Sequence, residues 1–357
     1  MKLRDEFTSF EDTGISLLEH SHRDIDGPVQ SCMVNACDLL RDILSIPETH
    51  DVLLMHGGAH AMFSGVPMNL AGEFGAKAYF IGDGYWSKRA SSEADKYCTT
   101  IHVADATVDV DPNAAFVHIT ANETISGVEH HIDPSLLDGS PPLVADFTST
   151  LLSRPVDFSK YGVVYASTGK NLGPSGLVVV ICRKSLLSGD RELKITPGVM
   201  SWAIASKTSP IANIWNTPNV FGIRALQLVL EDCKAKGGVE AMRIRAKRRA
   251  RLIYEVIDES DGFYVNTVGP DLRSFMTIPI TIGNQKMEKI FLDASRSEGF
   301  YNLKGHPLFG GIRVTLYNQI PDESVFALVE FMKKFERAFA FVDADELELP
   351  ALGDLHT

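Results

Sequence analysis

The stretch at residues 161–180, YGVVYASTGKNLGPSGLVVV, limits the possible folds more than any other part of the chain. Two uncharged runs in it, 163–166 and 177–181, are short, rich in valine and bounded by turn residues, which reads as two buried strands. Between them lies a polar turn of Ser, Thr, Gly and Asn holding one lysine, Lys170. An amine held there, partly desolvated, gives up its proton more readily than a surface lysine, as covalent attachment to an aldehyde cofactor demands. Taken by itself, the residue also fits a solvated turn lysine.

Upstream, the apolar run 143–145 ends in Asp146. A carboxylate at the C-terminal end of a strand points into the crevice where open α/β sheets take ligands. A lysine for an aldehyde and an acid that keeps a ring nitrogen protonated are the two parts a pyridoxal phosphate enzyme needs, because the protonated ring acts as the electron sink. The pattern of strand followed by polar turn recurs. Residues 51–55 run into Gly57-Gly58-Ala59-His60 before a probable helix through Leu70, and a helix start after glycines offers unpaired N–H groups to an anion. Residues 78–81 lead to Gly82-Asp83-Gly84 and Trp86, whose indole can stack on a planar ring or simply pack in the core. Residues 115–119 precede Asn122, Glu123 and Thr124, with His130 and His131 read as loop surface beyond. His60 lacks a second ligand at a metal spacing, so no metal is expected.

At 357 residues the chain exceeds one ordinary core, and two domains are expected, 1–240 and 241–357. A composition of 45% hydrophobic and 22% charged residues is globular, and a net charge of −12 argues against a general nucleic-acid binder. Five scattered cysteines suit reduced thiols in a cytoplasmic protein. The charged start MKLRDEFTSFEDTG lacks an apolar signal core, and no later run is long enough to span a membrane.

Gly27-Pro28 opens a helix whose apolar residues recur until Pro47. Asn216-Thr217-Pro218 reads as the capped start of the next long helix, over 221–230. The arginine-rich run 242–257 reads as a helix with a solvated basic face. The remainder alternates strands (263–265, 275–280, 312–316) with helices (287–298, 322–339), an α+β layout for the smaller domain, and an acidic tail (343–357) follows. Arg313 follows a Gly-rich loop containing His306, and its guanidinium can grip a carboxylate through two parallel hydrogen bonds.

The segment LVADFTSTLLSRPVDFSKYGVVYASTGKNLGPSG resembles the cofactor-lysine region of the phosphoserine aminotransferases, class-V aminotransferases of the fold-type I pyridoxal phosphate enzymes. TGISLLEHSHR, VLLMHGGAHAMFSGVPMNL, GYWSKRA, ITANETISGVE, NTPNVFGI and NLKGHPLFGGIRVTLYN resemble the same family in the same order. The resemblance implies an α/β fold: a large domain with a mixed, mostly parallel sheet and a smaller α+β C-terminal domain. It implies transamination between glutamate and 3-phosphohydroxypyruvate in serine biosynthesis, with pyridoxal 5'-phosphate on Lys170 and Asp146 at the ring nitrogen. It assigns Trp86 to the ring face, Thr124 to the phenolic oxygen, and the main-chain nitrogens of Ala59 and His60 to the phosphate. Asn216 and Thr217 would reach the cofactor phosphate of the opposite subunit of a homodimer. His22, Arg23, His306 and Arg313 would bind the substrate's anionic groups, with no nucleic acid or membrane partner. Gly169 stands where the family has a glutamine and Pro307 where it has an arginine, both phosphate contacts. A non-catalytic relative, or an aminotransferase of the same fold for another acid, is the alternative.

Overall fold

A computed structural model describes residues 2–104, 110–132, 141–207 and 215–342; the acidic tail expected at 343–357 lies outside them. The chain divides into two compact units, Met1–Ala121 with Ile132–Met242, and Asn122–His131 with Arg243–Thr357. The ten-residue segment Asn122–His131 thus joins the C-terminal unit, which a single boundary near residue 240 does not capture.

In the first unit a short helix α1 (Lys2–Asp5) precedes α2 (Pro28–Leu44). Proline at the first turn of α2 loses no needed N–H, and Ser45 ends the helix in the left-handed region two residues before Pro47. Then follow β1 (His50–Gly57), α3 (Ala59–Leu70), β2 (Lys77–Ile81), α4 (Tyr85–Ala94), β3 (Thr99–Val103) and β4 (Phe116–Thr120). The hairpin β5 (Asn122–Glu123) and β6 (Val128–Glu129) belongs to the second unit. The first unit resumes with β7 (Leu143–Asp146), β8 (Val163–Ser167), β9 (Gly176–Arg183), α5 (Trp202–Lys207) and α6 (Val220–Ala235).

These strands form one seven-stranded sheet in the order β1-β9-β8-β7-β4-β2-β3. From β8 to β3 every pairing is parallel, and β9 alone runs against both its neighbours. The largely apolar central strands follow from burial on both faces. One face carries Val117, Ala145, Val164 and Val179 against Met33, Leu40, Ile223 and Leu226 of α2 and α6. The other carries Phe80, Phe116, Val144 and Val180 against Met62, Phe63 and Ala90 of α3 and α4 and against Trp202 of α5. The edge strand β3, TTIHV, pairs with β2 only and stays partly exposed, so its apolar signal is weak.

Helix α7 (Gly238–Asp258) begins at the end of the first unit and runs into the second, where β10 (Thr277–Ile280), α8 (Gln285–Ser297), β11 (Ile312–Thr315) and α9 (Asp322–Phe339) follow. β10 and β11 are antiparallel, and Phe291, Phe335 and Ile278 lie in the core they share with the helices. The strand expected at 263–265 is reduced to one bridge, Val265 with Thr281. Gly127 turns the β5–β6 hairpin with φ 76°, and a side chain there would meet Pro279 Cδ at 2.4 Å, so both backbone and space require glycine.

Candidate active site

The C-terminal ends of β2, β4, β7 and β8 lie along one edge of the sheet, where parallel strands present their turns to a ligand. Asp146 ends β7 there, 6% exposed, and Thr148 donates its backbone N–H to Oδ1 at 2.8 Å. Burial pushes this carboxyl up from its usual range, against the opposing pull of the Thr148 hydrogen bond, the Lys170 charge and a Tyr165 hydrogen bond. Lys170 is half-buried in the turn after β8, close enough for its charge to act on Asp146.

Side-chain locks hold that turn. Thr168 donates its hydroxyl to the Pro174 carbonyl at 2.6 Å and accepts the Leu177 N–H at 3.3 Å. Asn171, 1% exposed, donates to the Leu151 carbonyl at 3.1 Å. Lys170 donates its backbone N–H to the Thr168 carbonyl at 2.9 Å. The lysine therefore projects from a rigid loop, which limits the entropy lost when it engages a partner.

The start of α3 adjoins this loop, since a Cβ built on Gly58 would sit 3.3 Å from Ser167 Oγ. Gly58 gives α3 no side-chain cap, which leaves the first-turn N–H groups of Ala59 and His60 for an outside acceptor. His60 packs edge-on against Trp86 at the start of α4, with ring centroids 5.7 Å apart and planes at 84°. A buried acid facing an amine, an uncapped helix start and a half-buried indole on one unit match the donor set of a phosphorylated pyridine aldehyde. Thr120 Oγ1 adds a buried hydroxyl without a hydrogen-bond partner at the end of β4, in register with Asp146.

Of the other expected residues of this unit, Asn216 lines a small cavity with Met55 and His56 at the end of β1. His22 is half-buried and Arg23 exposed after a 3₁₀ turn, Leu17–Glu19, that Ser16 and Glu19 close with a reciprocal capping box. Asn216 and Thr217 are exposed and do not cap the following helix. Asn219 does, its side-chain oxygen accepting the Gly222 N–H at 2.9 Å, because helical geometry begins at Val220 rather than at Pro218.

The second unit brings Thr124 and Arg313 together: Arg313 on β11 donates from Nη1 to the Thr124 carbonyl at 3.4 Å. His306, half-buried in the preceding loop, accepts the Leu308 N–H on Nδ1 at 3.2 Å, so Nε2 carries its proton when neutral. His131 is not loop surface. Its ring stacks on Phe275 at 4.3 Å, and Nε2 donates to the Arg273 carbonyl at 2.9 Å.

Sequence reasoning passed over Thr148, Tyr165 and His118. The last of these is a buried imidazole on β4, 2.9 Å from the Tyr165 hydroxyl. The signal available was one polar residue inside each of two otherwise apolar strands.

A mixed, mostly parallel sheet with a buried acid and a turn lysine at its strand ends defines the fold-type I aminotransferase class. Comparison with known proteins agrees: the family Aminotransferase class-V matches residues 17–299. A phosphoserine aminotransferase of Burkholderia vietnamiensis is 39% identical over 347 residues, 93% of each chain. The solved structure of the phosphoserine aminotransferase from Bacillus circulans subsp. alkalophilus superposes with TM-score 0.88 at 36% identity, covering 94% of this chain and 93% of that one. That of the PLP-bound enzyme of the same name from Trichomonas vaginalis gives 0.85 at 31%, covering 93% and 94%. The chain belongs to the class-V aminotransferases and, within them, to the phosphoserine aminotransferase family.

Proposed function

We propose that this chain is a pyridoxal phosphate-dependent transaminase that moves the amino group of L-glutamate to 3-phosphohydroxypyruvate, giving 3-phospho-L-serine and 2-oxoglutarate for serine biosynthesis. The observation that carries this is the buried Asp146 carboxylate under the influence of the Lys170 amine, in a chain 39% identical to a phosphoserine aminotransferase. Bound pyridoxal phosphate supplies an aldehyde carbon for the amino group and a protonated ring that draws off the electrons left at the substrate Cα.

Lys170 Nζ would hold the cofactor through its aldehyde carbon and, when free, would serve as the base at the substrate Cα. The Asp146 carboxylate would keep a proton on the ring nitrogen. Trp86 would cover the ring and the Ala59 and His60 N–H groups would take the phosphate, while the family resemblance gives the Thr124 hydroxyl to the phenolic oxygen. The resemblance gives Arg313 to the α-carboxylate, and His22, Arg23 and His306 would receive the phosphate or the distal carboxylate. On so acidic a chain these few cations must be focused locally to hold a dianion. Asn216 and Thr217 serve the phosphate of a second copy, which makes a homodimer the working form. Among the described residues no helix is long and apolar enough to cross a membrane, and a cytoplasmic location fits a biosynthetic enzyme.

The test separates the half-reactions. The purified protein with pyridoxal phosphate is expected to show a visible absorption band that glutamate bleaches and 3-phosphohydroxypyruvate restores. A band that glutamate bleaches but phosphohydroxypyruvate fails to restore would assign a different acid. The absence of any band would leave a non-catalytic relative.

A further inference from the structure

We infer that His118 and Tyr165 are positioning residues acting through Asp146: His118 Nε2–H donates to the Tyr165 oxygen, Tyr165 O–H donates to the Asp146 carboxylate, and this relay keeps the carboxylate ionised. The inference rests on the proposed role of Asp146 at the ring nitrogen.

Strand register builds the relay. Asp146 on β7 is the direct partner of Tyr165 on β8, and Thr120 on β4 is its partner on the other side. Side chains alternate along a strand, so His118 shares the face of Thr120 and three polar groups line up across adjacent strands. Their surroundings are Phe80, Phe116, Val144 and Val163, all buried. Nε2 of His118 is 2.9 Å from the Tyr165 hydroxyl, and Tyr165 and Asp146 share a side-chain hydrogen bond.

Proton counting then fixes the direction. An ionised carboxylate only accepts, and a phenol has one proton, so Tyr165 gives its proton to Asp146 and accepts from His118. His118 must therefore carry its proton on Nε2, leaving Nδ1 bare. Nδ1 is buried with no hydrogen-bond partner, as this tautomer requires; the opposite tautomer would bury an unpaired donor. Burial pushes the His118 pKa down to about 3, so the ring stays neutral and its single donor is available throughout the working pH range. In so dry a site a carboxylate and a pyridinium remain charged only if donors support the acid. Withdrawal of the Tyr165 hydroxyl makes the acid more basic and draws the proton off the ring nitrogen.

The test uses the full-length holoenzyme loaded with pyridoxal phosphate carrying 15N at the ring nitrogen. The wild type is expected to give the protonated-ring signal. Tyr165→Phe keeps the shape of the side chain, should move the signal toward unprotonated pyridine, and should speed cofactor dissociation on the order of tenfold. His118→Leu should shift the signal in the same direction, and His118→Gln, whose amide can donate from a similar place, should restore it. Wild-type signal and dissociation rate in Tyr165→Phe would overturn the relay and leave the trio as core packing, even with a lowered melting temperature. An unprotonated ring in the wild type itself would overturn the assignment of Asp146 and the relay with it.

Discussion

Two aspartates, one in each unit, show how the same side chain becomes either a site or a strut. Asp146 is buried among apolar side chains, and burial outweighs its donors, so its pKa is raised. Asp322, at the start of α9, sits among Arg245, Arg248 and Arg249 of α7. Burial pushes its pKa up, but the Arg245 hydrogen bond at 2.7 Å and the three guanidinium charges outweigh that and lower it. Arg249, 1% exposed, is itself held in place, donating to the carbonyls of Ile320 at 2.7 Å and Leu316 at 3.0 Å. Each Asp322 oxygen already accepts from an arginine, Oδ1 from Arg245 and Oδ2 from Arg248. Asp146 has only the Lys170 charge and hydrogen-bond donors against its burial, which do not offset it, and such an under-compensated acid is what a ring-nitrogen partner requires.

The largest effect that could break this contrast is at the lysine. Lys170→Ala should lower transamination on the order of 10⁴-fold and remove the visible band, measured by coupled assay and spectrum, because it deletes both attachment and base. Asp146→Asn should follow at about 10²- to 10³-fold, the cost of stripping one partner from a buried pair. Without cofactor the two aspartates should differ in sign. The raised value at Asp146 means the folded chain binds its proton more readily than the unfolded chain, so at neutral pH the ionised group costs stability. Asp146→Asn should therefore raise the melting temperature of the apoprotein at pH 7. Asp322→Ala should lower it, by about 3 kcal/mol of unfolding free energy in denaturant titration. The Asp322 contribution is complete above the ordinary carboxylate value of 3.8 and is lost as pH falls through its lower folded value. Asp146 acts oppositely, the apoprotein gaining stability from that group as pH drops through the raised value toward 3.8.

Much of the first unit was legible in the sequence because strands buried on both faces are continuous apolar runs, and residues breaking such a run at its end, Asp146 and the Lys170 turn, are conspicuous. What could not be read depends on partners distant in sequence. The arginines of α7 have the look of a solvated face until Asp322, 77 residues beyond Arg245, is placed against them. His118 and Tyr165 are single polar residues in apolar strands, and only the β4-β7-β8 register joins them to Asp146. The segment 263–265 has strand composition but finds one bridge rather than a ladder, so composition without a neighbour predicts too much. Asn219 was passed over as a cap for its near neighbours Asn216 and Thr217, since all three are cap-forming types and only the backbone path selects among them.

The smallest effect gives the sharpest control, because it lies on the same helix as the arginine cluster. Arg251 donates to Glu255 at 2.6 Å one turn along α7, and its side chain is 79% exposed. Water already solvates both charges, and holding two long side chains together costs rotamer entropy, so such pairs contribute little. Arg251→Ala should change unfolding free energy by less than about 0.5 kcal/mol, and that small change should fade further at high salt. If its cost matched that of Asp322→Ala, net charge along α7 rather than burial would govern this unit, and the contrast between the two aspartates would lose its physical basis.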